Sequence, residues 1–147
     1  MRGRVLVPGA AAGELLASRE PLSFWGGYDP RTGEIIDRRH GLSGRNAAGK
    51  VLAVPFSRGS STTTAILLEA VRLGRAPSAI VTTDNDTFFA LASIVADELY
   101  GRPIPVLAVE PGDFAMLTSL PEGQRVAVLE DGTILLEDAE REIARQW

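Results

Sequence analysis

The sequence predicts an α/β domain with a parallel βαβαβ core and added antiparallel strands. Three observations predict it. The apolar runs VLAVP (51–55), AIVTT (79–83) and PVLAV (105–109) are each bounded by turn residues, as expected of strands buried on both faces. Two stretches with helical spacing of apolar residues lie between them, and this alternation favours a parallel sheet with right-handed crossovers. Downstream, RVAVLEDGTILLE (125–137) holds two strand-like runs around Asp131-Gly132, a hairpin signal.

The elements follow in chain order. Residues 4–8 and 14–18 read as short strands around Gly9 and Gly13. Residues 19–50 are rich in Gly, Pro, Asp and Arg with no long period, and long irregular loops in small domains are usually functional. A short strand is expected inside that loop at 34–37. The first helix is predicted from Ser61 to Leu73, with Ile66, Leu67, Ala70, Val71 and Leu73 on its apolar face and Gly74 as its C-terminal cap. The second is predicted over 87–99, capped by Asp84 or Asp86, with Phe88, Leu91, Ile94, Val95 and Leu99 inward. Gly101 and Pro103 end it, and the last ten residues suit a short helix.

Composition bounds the function. The 147 residues fit one domain, expected over 1–147. A net charge of −4 supplies no basic surplus for counterion release, so nucleic acid is not the expected partner. With no cysteine, the chain offers no disulfide, no thiolate metal ligand and no cysteine nucleophile. Its single histidine is His40. Pro8 and Gly9 break the N-terminal apolar stretch, and no run of about 18 apolar residues exists. The expected location is the cytoplasm, without membrane association.

The sharpest local feature is Ser57-Arg58-Gly59-Ser60-Ser61 followed by three threonines. It joins an expected buried strand to an expected helix N-terminus, where α/β proteins bind ligands. Gly59 allows close backbone approach. Ser60 and Ser61 fall at or near the helix N-cap, where free N–H groups and the helix dipole favour an anion. Arg58 can fork onto a carboxylate or phosphate. Taken alone, the same residues also read as a plain helix start. GRNAAGK (44–50) is not a phosphate-binding P-loop, because Val51 stands where Ser or Thr is needed and a strand follows. Asp29, Glu34, Asp37 and His40 match no metal-site spacing and read as a hydrogen-bonded loop. Phe24 and Trp25, before Gly26-Gly27, read as either a loop anchor or a contact surface.

The runs PLSFWGG (21–27) and DPRTGEIID (29–37), with His40, Arg58-Gly59-Ser60-Ser61 and Ala76-Pro77, together resemble the small subunit of the aconitase X family. The resemblance extends from the Gly9–Gly13 region to about Pro105. It implies a swivelling β/β/α domain that works with a separate large subunit in a heterodimer or higher assembly. The iron–sulfur cluster would sit on that large subunit, in keeping with the lack of cysteine here. The implied reaction is a hydro-lyase step on a small β-hydroxy carboxylate. The first expectation is 5-phosphomevalonate going to trans-anhydromevalonate 5-phosphate; the alternative is cis-3-hydroxy-L-proline. A base must take the proton α to the carboxylate while the cluster iron acts as Lewis acid on the departing hydroxyl. Carried over from related domains, Ser60 is that base, with Ser61 the alternative or a helper. Arg58, Gly59 and Ser61 bind the substrate. The family usually carries Ser-Gly-Arg-Gly-Ser-Ser, whereas this chain has Phe56-Ser57-Arg58, which adds a side chain beside the site. The expected interface lies around Phe24 and Trp25 or the 40–50 loop. A reading from another class is a stand-alone anion-binding regulatory module built on the same loop.

Overall fold

A computed structural model describes residues 1–58, 61–83 and 86–137. The strands are β1 (Arg4–Val7), β2 (Ala11–Ala17), β3 (Leu22–Ser23), β4 (Val51–Ala53), β5 (Ser57–Arg58), β6 (Ala79–Thr82), β7 (Val106–Ala108), β8 (Arg125–Val128) and β9 (Ile134–Glu137). The helices are α1 (Ser61–Arg72), α2 (Thr87–Tyr100) and α3 (Pro111–Ser119). Seven strands form one mixed sheet in the order β1-β7-β6-β4-β2-β8-β9. Neighbours from β2 through β4 and β6 to β7 are parallel. β1 joins β7 antiparallel, and β8 and β9 extend the other side antiparallel. The βαβαβ core and the terminal hairpin are therefore as the sequence predicts. β3 and β5 form a separate two-stranded parallel ribbon.

Period-2 alternation divides the core strands between two apolar layers. Leu52, Val54, Ile80 and Val106 face Leu67, Ala70 and Val71 of α1 and Phe89, Ala92 and Ala96 of α2. Val51, Ala53, Val81 and Leu107 face the opposite layer, with Phe114 and Leu117 of α3 and Val126, Val128 and Ile134 of the hairpin. No helix among the described residues is long and apolar enough to cross a membrane.

Helix ends follow their local signals. At the end of α1 the Gly74 N–H bonds the Val71 carbonyl at 3.0 Å and the Arg75 N–H bonds the Ala70 carbonyl at 2.8 Å. Gly74 has a φ of 71°, which glycine adopts without steric cost. Asp86 caps α2, accepting from the Phe88 and Phe89 N–H groups. Asp84, the other predicted cap, lies outside the described residues, as does the helix expected at the C-terminus.

Three expectations need correction. The expected strand at 34–37 is replaced by two isolated bridges, Tyr28 to Ile35 and Glu34 to Asn46, because the glycine-rich loop folds back on itself. α3 had no counterpart in the sequence reading. The inward face of α2 is also different. Phe89, Ala92, Ser93 and Ala96 are buried, while Leu91, Ile94 and Leu99 are exposed, Leu99 to 62%. The small Ala92 and Ala96 allow close packing, and the Ser93 hydroxyl exchanges hydrogen bonds with the Ile104 backbone, accepting from its N–H at 2.7 Å. That polar tie fixes the rotation of the helix against its larger apolar residues.

Candidate functional site

The carboxyl ends of β2, β4 and β6 lead into the segments that build the site. After β4 the chain passes through Val54 and Pro55 into β5, which ends at Arg58, and α1 begins at Ser61. Gly59 and Ser60, two of the predicted site residues, lie outside the described residues. Ser61 starts a helix, as the sequence predicts, whereas Arg58, expected in the connection after the strand at 51–55, ends the short separate strand β5. The N-terminal turn of α1 also contains Thr63. It is fully buried, and its hydroxyl has no hydrogen-bond partner among the described residues.

Arg58 is exposed and lines an open cleft of about 480 Å³ together with Glu20, Pro21, Asp37, Arg39 and His40. The carboxylates of this cleft hold backbone N–H groups. Asp37 Oδ1 accepts from the Arg39 N–H at 3.0 Å, and Glu20 Oε1 accepts from the Gly41 N–H at 3.0 Å. His40 is buried. Its Nδ1 accepts from the Leu42 N–H at 3.1 Å, so the proton sits on Nε2, which donates to the Glu20 carbonyl oxygen at 3.2 Å. Both ring nitrogens are engaged within the loop. Asp29 accepts from the Arg31 N–H at 2.9 Å. Thus Asp29, Asp37 and His40 serve loop geometry, the role the sequence reading favoured over metal ligation.

That loop supports the Arg58 segment from one side. His40 holds the Glu20 carbonyl, and two residues later β3 pairs with β5, Leu22 against Ser57 and Ser23 against Arg58. The following turn is anchored by Phe24, which is fully buried. Its ring stacks on Tyr28 at 5.2 Å and meets Phe89 of α2 edge-on at 5.5 Å. The Tyr28 hydroxyl donates to the Arg75 carbonyl at 2.6 Å, and burial raises its pKa above the ordinary phenol value. Phe24 is therefore an anchor and not a contact surface, which corrects half of the expected interface. Trp25 turns the other way and is 67% exposed. It borders a groove of about 400 Å³ with Tyr28, Pro30, Ile36 and Ile66 among its lining. The turn is too tight for a side chain at Gly27, since a Cβ there would overlap the Ser23 carbonyl oxygen. Gly27→Ala is expected to cost about 1–3 kcal/mol, read as a lower midpoint in urea unfolding; an unchanged midpoint would show that the turn relaxes freely.

From the other side the connection between β6 and α2 braces the segment. The Pro55 carbonyl accepts from the Thr82 hydroxyl at 2.6 Å, the Thr83 hydroxyl at 3.0 Å and the Thr83 N–H at 3.2 Å. Asp86 Oδ2 accepts from both the N–H and the hydroxyl of Ser57 at 2.7 Å. The sequence offers Asp84 or Asp86 as a helix cap but gives no sign of this second attachment, because Ser57 is 29 positions away. The GRNAAGK segment leads into β4 and bears no helix. Its Asn46 closes a turn by accepting from the Ala48 N–H at 2.8 Å.

Comparison with known proteins agrees with this fold. The family model described as the aconitase X swivel domain matches residues 1–136. A cis-3-hydroxy-L-proline dehydratase of Pseudomonas aeruginosa is 53% identical over 103 residues, which cover 70% of this chain and 18% of that protein. The phosphomevalonate dehydratase small subunit of Thermococcus onnurineus is 37% identical over 131 residues, covering 89% of this chain and 92% of that one. The crystal structure of Thermococcus kodakaraensis aconitase X in its holo-form superposes with a TM-score of 0.80 at 31% identity, covering 93% of this chain and 97% of that one. The chain thus spans about a fifth of the longer dehydratases it matches and most of the short ones. On sequence and fold alike, the chain belongs to the aconitase X swivel-domain family.

Proposed function

We propose that this chain is the swivelling small subunit of a hydro-lyase that removes water from a β-hydroxy carboxylate. The carrying observation is the position of Arg58, an exposed residue on an open cleft, three positions before Ser61, where α1 begins. A half-open, charged cleft suits a site that a second subunit completes. Arg58 holds the substrate carboxylate through its two-pronged donor face. Gly59 lets the backbone approach the substrate, and Ser61 contributes to the anion site at the start of α1. Ser60 takes the α proton. A serine acts as a base only if its alkoxide is stabilised, and the N-terminal end of α1 with Arg58 beside it provides the positive field.

The residues of this chain do not fit an iron–sulfur cluster. There is no cysteine, both nitrogens of the sole histidine are engaged, and no metal-sized group of His, Cys, Asp and Glu occurs among the described residues. A large subunit in the cytoplasm would hold the cluster. The long relatives favour such a partner, since in them the matched segment is a fifth of the polypeptide. The exposed Trp25 and its groove, bounded by Ile66 of α1, supply the contact surface.

Two substrates fit this class. The 53% identity to the Pseudomonas aeruginosa protein moves cis-3-hydroxy-L-proline ahead of 5-phosphomevalonate, the substrate the resemblance put first. Phosphomevalonate is retained as the second reading because the short relatives of matching length carry that name. Its dehydration would place the protein in isoprenoid biosynthesis by a mevalonate route. The test is an anaerobic pull-down of the tagged chain from its own organism, followed by assay of the complex on both substrates. A larger cysteine-containing partner with iron and sulfide, and water loss from one substrate, is the expected result. A chain that elutes alone and iron-free would instead favour the anion-binding regulatory module. Within the complex, Arg58→Lys is expected to raise KM about tenfold through loss of the bidentate fork. Unchanged kinetics would remove Arg58 from the carboxylate site.

A further inference from the structure

We infer that Asp86 is a positioning residue for Arg58, acting through Ser57; the inference rests on the functional reading above. Asp86 is only 8% exposed, and its carboxylate divides its work cleanly. Oδ1 accepts from the Phe88 and Phe89 N–H groups at 3.0 and 3.1 Å and so caps α2. Oδ2 accepts from the Ser57 N–H and the Ser57 hydroxyl, both at 2.7 Å. A helix cap needs only the first oxygen, and Asn, Ser or Thr provides it without a charge. Burying a carboxylate is costly. The second oxygen, directed wholly at the chain one residue before Arg58, accounts for an aspartate here.

The far side of the segment is tied to the same place. The Thr64 hydroxyl of α1 donates to the Phe88 carbonyl at 3.5 Å. Upstream, the threonines at the end of β6 hold the Pro55 carbonyl. Ser57 and Thr64 are thus each attached at the N-terminal end of α2, through Asp86 and the Phe88 carbonyl. Arg58 takes its position from that helix as well as from its own strand. The Ser57 side chain, which departs from the family's usual glycine, supplies one of the two bonds to Oδ2. Here the departure adds an anchor to the segment.

The test separates the cap from the anchor. Asp86→Asn keeps a capping oxygen for Phe88 and Phe89 but presents an amide N–H group where Ser57 needs an acceptor. In the full chain, amide hydrogen exchange is expected to accelerate at Ser57 by about tenfold or more, the loss of a charge-assisted bond, with Phe88 and Phe89 still protected. In the assembled enzyme kcat is expected to fall by about a hundredfold, the scale of a displacement of about 1 Å. The isotope effect on kcat with α-deuterated substrate should rise, because proton removal becomes the slow step. A merely structural loss would lower the active fraction and leave the isotope effect unchanged. Ser57→Ala, which removes only the hydroxyl bond, is expected to give a smaller effect in the same direction and serves if the Asp86 variant does not fold. Wild-type protection at Ser57, or wild-type kcat and isotope effect, overturns the inference. If the wild-type complex dehydrates neither substrate, the functional reading fails separately, and Ser57 exchange still tests the anchor.

Discussion

Ser60→Ala is expected to lower dehydratase turnover by about 10²–10⁴-fold, the range for loss of a positioned general base, while the variant still assembles with its large subunit. The substitution removes the one oxygen proposed to take the α proton. It leaves Arg58, the N–H groups of the α1 N-terminus and the bracing from Asp86 and β3 in place. KM should therefore move little while kcat collapses. The measurement is steady-state kinetics on the purified complex, with size-exclusion chromatography to verify assembly. Full activity would assign the proton to another group, Ser61 first. A loss of assembly would make the segment an interface element.

The largest stability effect is expected at Phe24. Its ring is fully buried and is the link between the 19–50 loop and α2, touching Tyr28 on one side and Phe89 on the other. Phe24→Ala is expected to destabilise the fold by about 3–5 kcal/mol, since both the transfer energy and the cavity term are lost. Those two aromatic contacts add to the burial itself. Equilibrium urea unfolding checks it. The neighbouring Trp25→Ala, by contrast, should leave unfolding nearly unchanged, because Trp25 is mostly exposed. Equal losses at the two positions would contradict the division between anchor and contact surface.

These two aromatic neighbours show where sequence reasoning stops. Residue type marks both as anchors or contacts, and only the turn through Ser23, Gly26 and Gly27 sends one ring inward and the other out. The same holds for α2. Its spacing of large apolar residues is helical, so the element was legible, with a cap at Asp84 or Asp86. Which face turns inward was not, because that depends on how closely Ala92 and Ala96 pack and on the tie from Ser93 to Ile104. α3 escaped notice because it buries just Phe114 and Leu117 within nine residues, too short a period to stand out.

Of the candidate site, the sequence carried Arg58-Gly59-Ser60-Ser61 and its place between strand and helix, since turn glycines, N-cap residues and buried apolar runs act over a few residues. It also carried the family, through the joint occurrence of several short motifs. By itself it determined the βαβαβ order, the hairpin, the Gly74 cap of α1 and the absence of a cysteine ligand set. The tertiary structure alone decided what surrounds Arg58: the β3 strand at its side, the cleft shared with Glu20, Asp37 and Arg39, and the Asp86 carboxylate behind Ser57. Those partners lie roughly 20 to 40 positions away in the chain, and they meet because the parallel strands bring their carboxyl ends to one end of the sheet. Local propensity cannot encode such a meeting; burial of the two faces of the sheet does.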